Sequence, residues 1–193
     1  MRTVITIGRQ LGSGGREIGL RLAKKLGIPF YDKELLRKAA EETGLSEKLF
    51  DSFDERPKSL LYSIAMDSYM FALPGVGVSD SLEQQVYQAT FGTIRRVAGD
   101  GPCVIIGRCA DYALEDRDNV LNLFIHAPLE RRIAVEARRQ ILRTDKRRAS
   151  YYEYYSAKKW GAVDSYDFCL NSSIFGYEGT VELIETLIRM KER

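Results

Sequence analysis

Residues 8–19 read GRQLGSGGREIG, and this stretch decides the fold. An apolar run precedes the glycines, and apolar residues recur every four positions after them. The pattern predicts a buried strand over 3–7, a glycine-rich turn, and a helix over 15–26 that Gly27 ends. Strand, glycine turn and helix in this order are typical of a phosphate site, because the first amides of a helix lack partners and point outward.

The glycine turn departs from the usual phosphate loop. In the pattern GxxxxGK[ST], the lysine reaches the phosphates and the hydroxyl holds Mg²⁺. When residues 12–14 are aligned with the end of that pattern, Arg9 takes the first glycine position, Gly15 the lysine position and Arg16 the hydroxyl position. A tight strand-to-helix turn that binds no ligand therefore stays open as an alternative.

Two arginines beside the turn favour anion binding. A guanidinium binds phosphate through two parallel hydrogen bonds and can replace an ammonium group. Arg16 in the first helical turn also opposes the helix dipole, by on the order of 0.3–1 kcal/mol, unless an anion lies nearby. Glu17 is either an ordinary first-turn carboxylate or a metal ligand. The residues predicted to bind the nucleotide phosphates are Arg9, Gly12, Ser13, Gly14, Gly15, Arg16 and Glu17.

The rest of the chain alternates strands with helices. The predicted elements are strands at 28–31, 103–106, 120–125 and 168–170, helices at 33–43 and 178–191, and a long basic helix from Pro128 to about 143. This alternation is typical of a parallel sheet covered by helices on both faces. Residues 45–100 are helical in pattern but poor in apolar positions, with a Pro/Gly interruption at 73–77, and are interpreted as an insertion outside the core.

Composition sets broad limits on the protein class. A chain of 193 residues with net charge +2 predicts one domain and gives no general reason to expect nucleic acid. Cys103, Cys109 and Cys169 lack CxxC spacing, so neither a disulfide framework nor a zinc site is expected, and the cytoplasm fits best. No apolar run approaches the length of a membrane span.

A concentrated basic segment covers residues 131–148, with eight Lys or Arg against two acids. It could be a solvated helix face. Transfer of a phosphoryl group gives a stronger reason, because positioned cations stabilise the charge of the transferred oxygens. Nucleic-acid binding is a third interpretation, disfavoured by the absence of a recognised motif. The aromatic run at 151–160 predicts packing of a lid helix or a homodimer contact.

Three stretches together resemble the cytidylate kinase-like family of bacterial proteins: ITIGRQLGSGGREIGLRLAKKLGIPFYDKELL, VIIGRCADY and YDFCLNSS. The resemblance covers essentially the whole chain. It implies a three-layer α/β/α P-loop NTPase fold, with a parallel five-stranded sheet, in one domain over 1–193. It also implies a helical acceptor-binding insertion at about 33–100, a lid at about 143–162, and the use of ATP and Mg²⁺.

The resemblance also implies residue roles. The true cytidylate kinases, to which this family is similar, carry Gly-Arg-Asp after the third strand, whereas here Cys109 follows Gly107 and Arg108. Recognition of cytosine is therefore not carried over, and Asp111 could substitute only in a different turn. No Walker-B carboxylate follows the strand at 103–106. The resemblance to the family's lid implies Arg143 and Arg147 as catalytic residues, and Arg16 is predicted to be catalytic from its place in the loop. The implied acceptor-binding residues are Asp32, Arg37, Arg108, Asp145 and Arg148.

The expected function is transfer of the ATP γ-phosphate to a nucleoside monophosphate of the CMP type or a similar small phosphorylated acceptor. Two other classes stay open, namely a nucleotide-binding sensor with reduced kinase activity and a basic protein that binds RNA through residues 131–160. His126 is interpreted as structural. The segment 171–173 either caps the last helix or lies near the adenine.

Overall fold

The computed structural model describes residues 1–53 and 82–193, and its centre is a parallel sheet. The five strands lie in the order β2-β3-β1-β4-β5. They are β1 (Val4–Arg9), β2 (Phe30–Tyr31), β3 (Val104–Ile106), β4 (Val120–His126) and β5 (Phe168–Asn171). All the pairings are parallel. The predicted α/β/α fold with five parallel strands is confirmed, and β1 occupies its centre.

Helices cover both faces of this sheet. In chain order they are α1 (Gly15–Leu26), α2 (Lys33–Thr43), α3 (Glu47–Phe53), α4 (Leu82–Asp100), α5 (Ala110–Ala113), α6 (Leu129–Ile133), α7 (Arg138–Ser156) and α8 (Ser172–Lys191). Within residues 1–53 and 82–193, no helix is long and apolar enough to cross a membrane.

One face of the sheet is covered by α1 and α8. Ile18 and Leu22 of α1 and Ile184 of α8 are fully buried against the strand residues. Gly19 allows α1 to lie close to the sheet, because a Cβ there would stand 2.8 Å from Cδ1 of Ile106. This tight contact fixes where the N-terminus of α1 stands relative to the strand ends.

The opposite face shows that the region 45–100 is not all outside the core. Ile94, Val97 and Ala98 of α4 are buried with Val4 and Ile105 of the sheet. The interpretation as an insertion outside the core is therefore wrong for the second half of α4. Three apolar residues at helical spacing are enough to cover a sheet, although the region as a whole is polar. The predicted interruption at 73–77 lies outside the described residues.

Two helix boundaries also differ from the prediction. The basic segment forms two helices, α6 and α7, because the chain turns after Arg132, whose carbonyl accepts from the amides of Val135 and Glu136. The residues between the two helices include neither glycine nor proline, so no local signal marks this break. The last helix begins with a short turn at Ser172, which the side chain of Asn171 caps by accepting from the Ser173 amide. Gly176 then interrupts it with a non-helical backbone (φ 64°, ψ −170°), so the helix predicted near 178–191 corresponds to the part after this kink.

The aromatic run after residue 150 packs inside the chain. Tyr151 and Tyr152 are buried beside Phe124 on the face of the sheet opposite α1. The rings of Tyr87 and Tyr155 stack with centroids 3.7 Å apart. These aromatic residues pack within the chain, as one of the two predicted uses requires, and the lid and the homodimer contact stay predictions.

Candidate active site

The glycine loop joins β1 to α1 at the carboxyl edge of the sheet. Gly12 and Gly14 both have φ 77°, a left-handed conformation that glycine adopts without strain. Gly14 caps α1 without a side-chain hydrogen bond, and the first backbone bond of the helix runs from the Ile18 amide to the Gly14 carbonyl. The amides of residues 15–17 precede that bond and form the outward-facing end of the helix dipole.

Neighbouring side chains shape this loop closely. A Cβ on Gly14 would stand 2.2 Å from Cε1 of Tyr177, and one on Gly12 would stand 3.1 Å from Cβ of Arg132. Ser13 donates its hydroxyl to the Gln10 carbonyl at 2.9 Å, which ties the loop to itself. The loop can therefore accept only glycine at these two positions without a shift of its neighbours.

Arginines gather around one carboxylate beside the loop. Asp32 follows β2 and accepts from Nε of Arg16 at 2.7 Å and from a terminal nitrogen of Arg108 at 3.1 Å. Burial raises the pKa of the Asp32 carboxyl, but the guanidiniums of Arg108, Arg16 and Arg9 lower it by more than burial raises it, so the net shift of the pKa is downward. Three guanidinium charges face one carboxylate charge, which leaves this edge of the sheet positive.

The position of Arg16 has an explanation inside the chain. The anion expected beside this first-turn arginine is the Asp32 carboxylate. The Arg16 side chain is still 61% exposed, and a guanidinium has five N–H donors, of which this bond uses one. Arg16 therefore stands at the surface of the loop with donors to spare for a ligand.

The turn after β3 holds Arg108 in a strained conformation. Arg108 and Cys109 both have positive φ angles, 57° and 55°, which residues other than glycine rarely adopt. Arg108 also donates to the Ile106 carbonyl and is buried. Asp111 does not join this cluster, because it points to Tyr152, whose hydroxyl donates to it at 2.6 Å, and burial raises its pKa.

Helix α7 contacts the loop through one of its faces. Asp145 accepts from the Leu11 amide at 2.8 Å, and Arg148 donates to the Arg9 carbonyl at 3.1 Å. Arg143 and Arg147 lie two residues from Asp145, which is about 200° around a helix, and both are exposed. The structure thus brings Asp145 and Arg148 to the loop and leaves Arg143 and Arg147 on the outer face.

Two other predicted residues have partners away from the cluster. Arg37 pairs with Glu34 and Glu41 on the exposed side of α2. Glu17 accepts from Arg21 at 2.7 Å. Among the residues that the structure describes, no three His, Cys, Asp or Glu side chains form a group that could hold a metal ion.

Three further side chains define the surroundings of the loop. His126 ends β4, and burial together with the nearby Arg132 guanidinium lowers its pKa. Sequence reasoning missed Arg132, a buried residue of the basic segment, and Tyr177, whose ring lies over Gly14. Neither carries a signal that separates it from other arginines or aromatic residues, since only the path of the chain brings them to the loop.

Comparison with solved structures shows the same architecture. An uncharacterized protein from Eubacterium ventriosum aligns with a TM-score of 0.70 and 23% identity over 97% of this chain and 99% of that one. Shikimate kinase from Bacteroides thetaiotaomicron aligns with a TM-score of 0.56 and 14% identity over 98% and 99% of the two chains. Shikimate kinase from Aquifex aeolicus aligns at 0.52 and 17% over 98% of each chain. At these identities the alignments establish a P-loop kinase fold.

Comparison at the level of sequence identifies the family of the chain. No curated protein matches the sequence. A family model described as "Cytidylate kinase-like family" matches residues 4–174, a range that includes the glycine loop, the Arg108 turn and all of α7. The chain therefore belongs to the cytidylate kinase-like family.

Proposed function

We propose that this protein transfers the γ-phosphate of ATP to a nucleoside monophosphate of the CMP type or a similar small phosphorylated acceptor. The observation that carries this proposal is the N-terminus of α1, which no side chain caps, beside three arginines whose charges act on one carboxylate. Such an edge attracts an anion with more than one negative charge. The family match and the P-loop kinase fold support kinase-type phosphoryl transfer.

In the proposed reaction, backbone amides bind the donor phosphates. The amides of residues 15–17 and the Arg16 guanidinium surround the β- and γ-phosphates, and Arg16 supplies the charge that lysine supplies in the usual loop. Arg108, held by Asp32, faces the acceptor phosphate. Arg143 and Arg147 lie on the outer face of α7, while Asp145 and Arg148 hold that helix to the loop, so we assign the two outer arginines no contact with the transferred group.

The described residues offer no protein ligand set for Mg²⁺. The hydroxyl position of the usual loop holds Arg16, and Glu17 is engaged by Arg21. Mg²⁺ commonly keeps several waters and binds through substrate phosphates. In this proposal the ion therefore arrives with ATP, where it would neutralise phosphate charge. We also propose a cytoplasmic location, where both nucleotides are available.

Two measurements test the proposal. The first is calorimetric titration with ATP in the presence of Mg²⁺, and the second is a coupled kinase assay against each of the common nucleoside monophosphates. We expect ATP binding and turnover of at least one acceptor. Binding without turnover of any acceptor would favour a nucleotide sensor and would overturn the kinase. Binding of RNA that weakens steeply with salt and survives mutation of the glycine loop would favour an RNA-binding protein.

Arg16→Ala tests the replacement of the lysine. We expect ATP affinity or turnover to fall by about 1.5–3 kcal/mol, the scale of a charge-assisted hydrogen bond. Arg189→Ala is the matched control, because Arg189 is an exposed arginine in the last turn of α8. Unchanged affinity and rate in Arg16→Ala would remove this role from Arg16.

A further inference from the structure

Asp145 and Arg132 together hold both backbone groups of Leu11 in the glycine loop. The Leu11 amide donates to Oδ1 of Asp145 at 2.8 Å, and the Leu11 carbonyl accepts from Arg132 at 3.2 Å. The same Arg132 nitrogen donates to Oδ2 of Asp145 at 2.5 Å. Three groups that are far apart in sequence thus close one hydrogen-bonded ring around a single loop residue.

The ring is partly buried and lies against Gly12. The side chains of Arg132 and Asp145 are 8% and 14% exposed. The backbone and Cβ of Arg132 lie against Gly12, as the 3.1 Å distance from the position of an added Cβ shows. An ion pair that is shielded from water is strong only with good geometry. Removing either partner leaves the charge of the other uncompensated. Movement of Asp145 therefore disturbs the loop.

We propose that Asp145 is a positioning residue for the donor-phosphate loop, and this role rests on the proposed phosphoryl transfer. Asp145 holds the loop by its Leu11 amide from the side of α7, and the bond from Arg148 to the Arg9 carbonyl adds a second attachment one helical turn along. A loop whose amides are preset binds phosphate without a cost of rearrangement. This role differs from the acceptor contact that the family resemblance implies for Asp145.

The test compares Asp145→Ala and Asp145→Asn with the wild-type protein. Hydrogen exchange of the loop in the ligand-free protein reports the attachment directly, and we expect the Leu11 amide to exchange about tenfold faster or more in Asp145→Ala. We expect the KM for ATP to rise about tenfold and the KM for the acceptor to change less than about twofold. Asp145→Asn keeps an acceptor for the Leu11 amide and loses the charge, so its effects are smaller.

The matched control is Asp116→Asn, which makes the same chemical change at an exposed ion pair with Arg95. It leaves loop exchange and both KM values unchanged. If Asp145→Ala does not fold, Asp145→Leu, which has a similar shape but removes both oxygens, supplies the comparison, and unchanged loop exchange in Asp145→Leu then overturns the role.

Two results overturn the positioning role by themselves: loop exchange that is unchanged in Asp145→Ala, or an equal rise of both KM values, which would indicate acceptor binding. A wild-type protein that binds no ATP overturns the proposed function instead. Loop exchange in the ligand-free variants is measured without nucleotide, so the two failures are distinguishable.

Discussion

Replacing Gly14 by alanine is the sharpest test of the loop geometry. The change adds one methyl group at a residue with φ 77° and places it 2.2 Å from Cε1 of the Tyr177 ring. Two costs follow, a backbone strain from the left-handed conformation and a steric clash with the ring. We expect both to appear in the free energy of unfolding and in the affinity for ATP.

The two costs can be separated with a second glycine. A left-handed residue that carries a Cβ costs about 1–2 kcal/mol. Carbon atoms make their best contact at about 3.5–4.0 Å. The Tyr177 ring must therefore move by more than about 1 Å, and overpacking of this kind costs about 1–3 kcal/mol. Gly27 also has positive φ, 66°, but nothing lies within 4 Å of an added Cβ, so Gly27→Ala shows the strain alone.

The assay is urea unfolding of four variants: Gly14→Ala, Gly27→Ala, Tyr177→Ala and the double variant Gly14→Ala/Tyr177→Ala. We expect Gly14→Ala to cost about 2–5 kcal/mol and Gly27→Ala about 1–2 kcal/mol. In the Tyr177→Ala background the ring is gone, so the cost of Gly14→Ala falls to that of Gly27→Ala. If the two glycine variants lose the same stability, Tyr177 does not pack on the loop and the geometry described above is wrong.

Two further predictions concern buried titratable groups. Burial raises the pKa of Asp111 above its unfolded value, so the stability from this group is present below about pH 4 and is lost as pH rises through the folded pKa. Asp111→Asn keeps an acceptor for the Tyr152 hydroxyl but does not ionise. In urea unfolding, we therefore expect the free energy of unfolding of Asp111→Asn to rise relative to that of the wild type from pH 4 to pH 8. A difference that stays constant with pH would refute this. Burial raises the pKa of both the Cys103 and the Cys169 thiols, that of Cys103 to about 12. Cys169 is the less buried of the two, so we expect iodoacetamide to alkylate it first, as mass spectrometry of the native protein would show, and equal rates would contradict this.

Local signals in the sequence made the first strand, the glycine loop and the helix after it predictable. The apolar run, the glycines and Gly27 are neighbours in the chain, and each acts on the backbone of its own segment. The helix predicted over 15–26 is α1 with the same bounds, and the strand predicted over 3–7 became β1 at Val4–Arg9. Where the signal was an average over a long region, as in 45–100, the prediction missed the buried stripe of α4.

The interactions within the site were not predictable in the same way. The ion pair between Arg16 and Asp32 depends on how β2 and α1 stand side by side, and nothing in either segment selects it over other pairs. The residues of α7 that meet the loop are Asp145 and Arg148 rather than Arg143 and Arg147. A helix with basic residues on several faces does not reveal from its sequence which face packs inward.

The sequence alone determined the class of fold and the place where we propose that an anion binds, because both follow from short-range order: apolar runs that form strands, glycines that permit left-handed turns, and a helix that starts immediately afterwards. Tertiary structure decided which charges stand at that place. Guanidinium and carboxylate groups interact over a few ångströms of space regardless of their separation along the chain, so the arrangement of Arg16, Arg108 and Asp32, and of Arg132 with Asp145, emerged only when the helices packed on the sheet.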